Sequence, residues 1–363
     1  QDGMDGSRTI STVRPDGART SLVYSDKPCR INTYGNSFTQ CHQVSDGETW
    51  QEYLAAHFGE PIRNFGMGGY GTYQAYRRMV REENSEHGAE YVILYLWGDD
   101  HLRSVMRCRH AVIYRVWDHQ DGRMFHNNFW ANIELDLNTG KWVEQDNMLP
   151  TRESMYKMCD PEFMVEALHD DLMVMMYAAV NKWVQLNEKE LDLIDKLAAI
   201  LKISPTERNS EKILFSSIDR IMTTYGYEAS KHILSLARKF CEGHNKKLLV
   251  IEFDPGSTYS LLHGNDRHDQ SLIDYLQQEN FMYFDMNLAH LQDFKAFNLT
   301  PEAYMARYCI GHYSPIGNHF FAFQLKDTLL KWLDPVPITY RKGDWSPADF
   351  QGYLPELPIS TRN

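Results

Sequence analysis

The run Tyr91-Val92-Ile93-Leu94-Tyr95-Leu96-Trp97 offers no polar side to water. It therefore reads as a strand buried on both faces, which demands a covering layer above and another below. Leu248-Leu249-Val250-Ile251-Glu252-Phe253 repeats the pattern far downstream. Shorter strands are expected at Arg30-Ile31-Asn32-Thr33, around Ile62 to Phe65, and at Tyr283-Phe284-Asp285-Met286. Helical spacing separates them. Trp50 to His57 places Trp50, Leu54 and His57 on one face; further helices start at Tyr73, cover Tyr227 to Cys241, and run from Ile316 to Trp332. Strands separated by helices predict an α/β fold, a doubly wound and mostly parallel sheet in a three-layer, flavodoxin-like core.

Two stretches interrupt that rhythm. Residues 105–150 carry aromatic and β-branched residues in alternation (Tyr114, Val116, Phe125, Phe129) and a hairpin signal around Asn138-Thr139-Gly140, which predicts a β insertion. Residues 151–226 hold Leu172, Met176, Trp183, Leu186, Leu193, Leu197 and Leu201 at helical spacing, up to the breaker Pro205. This helical insertion reads first as amphipathic packing on the body, and secondarily as a lid or a homo-oligomer face. Alternation about Pro15-Asp16-Gly17 predicts a β-hairpin arm in residues 1–30. The main domain is then 31–335, with 336–363 as a tail.

Composition narrows the function. Net charge of −12 argues against a nucleic-acid phosphate binder. No run of about 18 apolar residues exists, so no membrane span is expected. The first residues, Gln1-Asp2-Gly3-Met4-Asp5, show no basic-then-apolar leader pattern, and the compartment stays open. Six cysteines lie scattered without metal-site spacing, and they read as buried thiols. Cys41-His42 is accordingly taken as structural rather than as a thiol nucleophile. Trp97, Trp117, Trp130 and Trp142 read as packing before any sugar-stacking rim.

Four short segments carry the chemistry. Tyr34-Gly35-Asn36-Ser37-Phe38-Thr39 puts a serine on a glycine-flanked turn after a strand, a placement that exposes a nucleophilic Oγ and aims backbone N–H groups at an oxyanion. Asn64-Phe65-Gly66-Met67-Gly68-Gly69-Tyr70-Gly71 follows the second strand. Gly98-Asp99-Asp100 ends the long buried strand, and Gly311-His312-Tyr313-Ser314-Pro315 precedes the last helix. In this order the segments resemble the four blocks of the GDSL/SGNH hydrolase family, over roughly residues 30–104 and 230–333. The resemblance implies an esterase or deacetylase cleaving an O-acyl ester, of a carbohydrate or another small polar alcohol. Ser37 would be its nucleophile and His312 its base, with the N–H groups of Ser37 and Gly69 in the oxyanion hole. It implies no cofactor and no metal.

The chain departs from the family at three points. Asn36 stands for the Asp of Gly-Asp-Ser. Asp99 is assigned to the Asn position of Gly-x-Asn-Asp, where an ionised carboxylate could not donate to an oxyanion. Cys309 and Ile310 stand where the family carries the Asp that orients the histidine. Asp254, just past the second buried strand, is the expected substitute, because a parallel sheet gathers its functional groups at that edge. Alternatively Asp99, Asp100 and His101 form an acidic pocket of their own. Two rival functions follow: a binding protein on a decayed hydrolase scaffold, or a lyase or transferase using Asp99 and Asp100.

Overall fold

The computed structural model of the chain describes residues 3–109 and 128–342. Its strands are β1 (Ile31–Tyr34), β2 (Arg63–Asn64), β3 (Tyr91–Trp97), β4 (Asn132–Asp136), β5 (Lys141–Gln145), β6 (Lys247–Phe253) and β7 (Tyr283–Asp285). In the first part of the chain the helices are α1 (Ser37–Gln40), α2 (Trp50–Phe58), α3 (Thr72–Glu83) and α4 (Asp100–Arg103). The middle holds α5 (Arg152–Met155), α6 (Pro161–Leu168), α7 (Leu172–Val180), α8 (Glu188–Ile200) and α9 (Glu211–Gly243). Last come α10 (Pro255–Leu262), α11 (Gln270–Gln278), α12 (Met286–Phe294), α13 (Pro301–Tyr308) and α14 (Pro315–Trp332).

β1, β2, β3, β6 and β7 form one parallel sheet in the order β2-β1-β3-β6-β7. The period-two geometry of a strand divides β3 between two cores. Tyr91, Ile93 and Tyr95 pack with Trp50, Leu54 and Phe58 of α2 and with Phe321, Leu325 and Leu329 of α14. Val92, Leu94 and Leu96 face the other way, onto Met79 of α3, Leu234 and Ala237 of α9, and Leu272 of α11. The result is a three-layer α/β fold, and β3 is apolar throughout because both of its faces are covered.

A further core lies beside the sheet. Ile133 and Leu135 of the antiparallel β4–β5 hairpin pack on Met173 and Met176 of α7, Ile194 and Leu197 of α8, and Ile218 and Ile221 of α9. The stripe from 172 to 201 spans two helices, because Asp171 and Asn187 cap new starts by accepting from Met173 N (3.0 Å) and Glu190 N (3.1 Å). The expected boundary at residue 226 is corrected. α9 begins at Glu211 and crosses 226 unbroken, so the insertion flows into a helix of the main body. Gly226 does not break it: the residue lies against His101 and Leu102, where a Cβ would approach Leu102 Cδ2 to 3.0 Å. Of the residues named in the expected β insertion, Tyr114, Val116, Trp117 and Phe125 lie outside the described residues.

The amino-terminal arm is less regular than a hairpin of two strands. A turn at Pro15–Gly17 brings Val13 and Arg19 into a single antiparallel bridge, and Arg19 bridges onward to Asn64 of β2. The Arg19 guanidinium is buried and donates to the carbonyls of Gln40 (2.7 Å), Cys41 (2.6 Å) and Val44 (2.6 Å) and to Asp46 (2.8 Å). It thereby pins the loop that follows the serine turn. Removing side-chain bulk at the centre of the sheet tests the two-sided core. Leu94→Ala should lower unfolding free energy by about 2–5 kcal/mol in urea titration, because both layers prevent collapse into the cavity.

Candidate active site

In the parallel sheet every strand delivers its outgoing loop to one edge. Ser37 follows β1, the Gly66–Gly71 loop follows β2, Gly98-Asp99-Asp100 follows β3 and Asp254 follows β6. β1 and β3 are neighbours whose connections leave in opposite directions, so a crevice opens between them, the usual position of a ligand site in such sheets. Ser37 is the first residue of α1, and Asn36 caps it by accepting from Phe38 N at 2.7 Å. His312 arrives from the far end of the chain. Ser314 caps α14 two residues later, accepting from Gly317 N at 3.2 Å. The two side chains meet: His312 Nε2 lies 2.7 Å from Ser37 Oγ.

The other ring nitrogen is held by a residue that no motif signals. His312 Nδ1 lies 2.9 Å from Gln43 Oε1, and the same oxygen accepts the His312 backbone N–H at 2.8 Å. A backbone N–H can only donate, so the Gln43 atom it meets is the amide oxygen, and Nδ1 must carry the ring proton. Nε2 is left with its lone pair toward the Ser37 hydroxyl, the tautomer a general base requires. Gln43 has φ of +68° and Cys41 has φ of +61°, left-handed values that cost non-glycine residues roughly 1–3 kcal/mol. The strained turn aims the amide at His312, and Arg19 holds it from behind.

Asp254, the expected orienting carboxylate, is corrected to another role. It caps α10 by accepting from Gly256 N (2.7 Å), and its second oxygen pairs with His268 Nε2 (2.7 Å). It follows β6, two strands along the edge from β1, beyond which Ser37 and His312 meet. Asp99 and Asp100 also exchange expected roles. The Asp99 side chain is 65% exposed and pairs with Arg103 at 3.4 Å. Asp100 is the buried one; its Oδ2 accepts from Asn36 Nδ2 and from Trp97 N (3.0 Å). Asn36 thus spends its oxygen on the helix cap and its nitrogen on Asp100, and ties the end of β1 to that of β3. Burial pushes the Asp100 carboxyl up to about 7, against the favourable pull of Arg103 and Asn36. Asp99 and Asp100 share Arg103 as a partner (3.4 and 3.5 Å), and Asp100 also accepts from Asn36, whereas His101 Nδ1 turns to Ser230, so the histidine does not join the two carboxylates.

The second glycine loop lies across the serine turn. Met67 N donates to the Gly35 carbonyl (3.1 Å), and Gly68 N donates to Gln40 Oε1 (2.6 Å). Gly66 sits so close that a Cβ would come within 2.6 Å of the Thr39 carbonyl carbon. Gly69 adopts φ of +78°, which favours glycine, and its carbonyl accepts from the buried Arg109. Burial, then His42 and Arg103, lowers His312 to about 3, so its imidazole is neutral across the physiological range. The ring of His42 lies 5.2 Å from that of His312.

Cys41 is no nucleophile: burial pushes its thiol up to about 12. Trp130 packs edge-on to Tyr70 (5.6 Å), and Trp142 stacks on Tyr225 (5.6 Å), as packing residues do. Among the described residues no group of three or more His, Cys, Asp or Glu side chains is disposed to hold a metal ion, and no helix is long and apolar enough to cross a membrane. No protein-family model matches the chain, and no curated protein does so.

The Gln43 contact makes a spectroscopic prediction independent of any substrate. Gln43→Glu should raise the His312 titration midpoint by about 1 unit or more, because a carboxylate stabilises imidazolium. Gln43→Ala should abolish the Nδ1–H preference. Both are read from ¹⁵N shifts of the imidazole in NMR titrations, and an unmoved midpoint in the glutamate variant would refute the contact.

Proposed function

We propose that the protein is a serine hydrolase of SGNH type that cleaves an O-acyl ester of a carbohydrate or other small polar alcohol. One observation carries this reading: Ser37 Oγ and His312 Nε2 stand at 2.7 Å while Gln43 fixes the opposite ring nitrogen as N–H. The order of the four sequence blocks supports the family assignment, and so does the meeting of all four at one sheet edge.

In the reaction, His312 Nε2 takes the Ser37 proton as Oγ bonds to the ester carbonyl carbon. The resulting oxyanion is received by the N–H groups of Ser37 and Gly69, each donor worth roughly 10²–10³ in rate. Collapse breaks the bond to the alcohol oxygen, which takes the proton back from His312. Water then repeats the sequence on the acyl-serine and releases the acid. Only the ester and water are consumed.

Counting from Gly98, the motif Gly-x-Asn-Asp puts its Asn at residue 100. The motif's Asp beside serine and its Asn after the third strand are thus exchanged here, as Asn36 and Asp100. Their side chains are in contact, Asn36 Nδ2 donating to Asp100 Oδ2. One charge therefore sits behind the serine turn, and its ionisation opposes a developing oxyanion.

Ser37→Ala should abolish hydrolysis of p-nitrophenyl acetate and labelling by a fluorophosphonate; persistence of either sinks the assignment. The pH profile should be displaced to acid. His312 remains a neutral base down to about 3, and Asp100 loses its opposing charge below about 7. kcat/KM should therefore be highest between those two values and fall above the upper one. Asp100→Asn should erase the upper limb and raise the rate at pH 8, whereas an unchanged limb would count against the charge argument.

A further inference from the structure

A groove of about 690 Å³ lies between α3 and the segments that flank the β4–β5 hairpin. Its walls hold Arg77, Arg78 and Arg81 and, among the described residues, no carboxylate. This local positive charge stands out in a chain of net charge −12. Helical period gathers the arginines, because residues three and four apart share a face, while Ala75 and Met79 turn into the core. Tyr70 and Trp130 meet edge to face, with centroids 5.6 Å apart, and add an aromatic wall. Neither Ser37 nor His312 lines the groove. Arg77 donates to Tyr73 Oη (3.1 Å) and Asp146 (2.8 Å), but the Asp146 side chain is 86% exposed, and so exposed an ion pair is weak. Arg81 pairs with the adjacent Glu82 at 2.6 Å and is 68% exposed. A guanidinium has more N–H donors than these contacts use. Arg78 is buried and donates to the Gly17 carbonyl (2.5 Å), with no carboxylate bonded to it. A buried cation without a bonded counter-charge is costly, and an anion held in the adjoining groove lowers that cost through space.

We propose that this groove binds a phosphate monoester, with its phosphate on Arg77 and Arg81 and its organic group against Tyr70 and Trp130. The inference is independent of any acyl transfer at Ser37. Guanidinium forks match phosphate oxygens, and a dianion displaces an exposed carboxylate that carries a single charge. Arg78 adds its charge without having to touch the ligand. A groove of this volume suits a small organic molecule rather than a lone ion, and the two rings would cover its apolar part.

Calorimetric titration of the full chain with phenyl phosphate tests the site. One equivalent should bind saturably, about tenfold tighter than inorganic phosphate, which lacks the ring, and than benzoate, which lacks the second charge. Arg77→Gln and Arg81→Gln alter exposed side chains and should each weaken binding about tenfold, as loss of a charge-assisted hydrogen bond implies. Asp146→Asn releases Arg77 and should tighten binding about threefold. Ser37→Ala should bind as the wild type does. Unchanged affinity in both arginine variants, with native circular dichroism, overturns the site, and so does weaker binding in Asp146→Asn. Inorganic phosphate or benzoate binding as tightly as phenyl phosphate overturns the monoester. Loss of binding in Ser37→Ala would place the ligand at the serine turn and overturn the groove. The ester assays decide the hydrolase reading separately and leave these affinities untouched.

Discussion

The contact between Ser37 Oγ and His312 Nε2 joins positions 275 residues apart, and it exists only because a parallel sheet collects its loops at one edge. β1 releases the serine into α1, while α14 crosses beneath the sheet and starts at the same edge. Core packing holds this approach in register. Phe321 and Leu325 of α14 sit with Tyr95 and Ile93 of β3, so the helix that follows His312 is fixed to the strand that ends beside the serine. The Phe38 ring completes the fit, lying between the imidazole of His312 (4.8 Å) and the ring of Phe253 (5.6 Å). The dyad is therefore a consequence of layer packing and not of local sequence.

Positioning of the His312 ring has a second source, in the turn of residues 40–46. Two left-handed residues, Cys41 and Gln43, would relax in an unsupported loop. Arg19 prevents this by donating to three carbonyls of the turn and to Asp46, all within 2.8 Å. Charge-assisted hydrogen bonds of this kind contribute about 1.5–3 kcal/mol each, which offsets the backbone strain. The amino-terminal arm thus acts on the site without touching its reacting atoms.

Much of this was legible in the sequence. The unbroken apolar β3 predicted two covering layers, and strand-helix alternation predicted a parallel sheet. Ser37 and His312 stood out because their turns are built from short, recognisable residue sets. Gln43 did not, since an amide that accepts two hydrogen bonds has no spacing signature; it is one glutamine in a polar loop. Asp254 was misread for a geometrical reason: sequence places it at the correct edge but cannot say which strand end along that edge. Asp99 and Asp100 are adjacent, so a shift of one residue decides which is buried, and only the packing of α4 settles it. The joined α9 was hidden because the helical reading stopped at Pro205 and resumed only at Tyr227, whereas Glu211–Gly243 is one helix.

The charges about the serine and histidine form one connected pattern. Beside Ser37 stands Asn36, and behind His312 stands Gln43. Neither residue carries charge, and each keeps the hydrogen bond that its position needs. Without an anion at Nδ1, burial governs the imidazole and lowers its affinity for a proton. In the proposed acyl transfer, a weaker base would abstract the serine proton less readily, but it would remain available in acid, where an ordinary imidazole is already protonated. Asp100 changes in the compensating direction, because the same acidic conditions that spare His312 neutralise the carboxylate behind the serine turn. A glutamine-supported histidine and a buried, readily protonated aspartate are therefore two parts of one electrostatic arrangement, each suited to the pH range that the other creates.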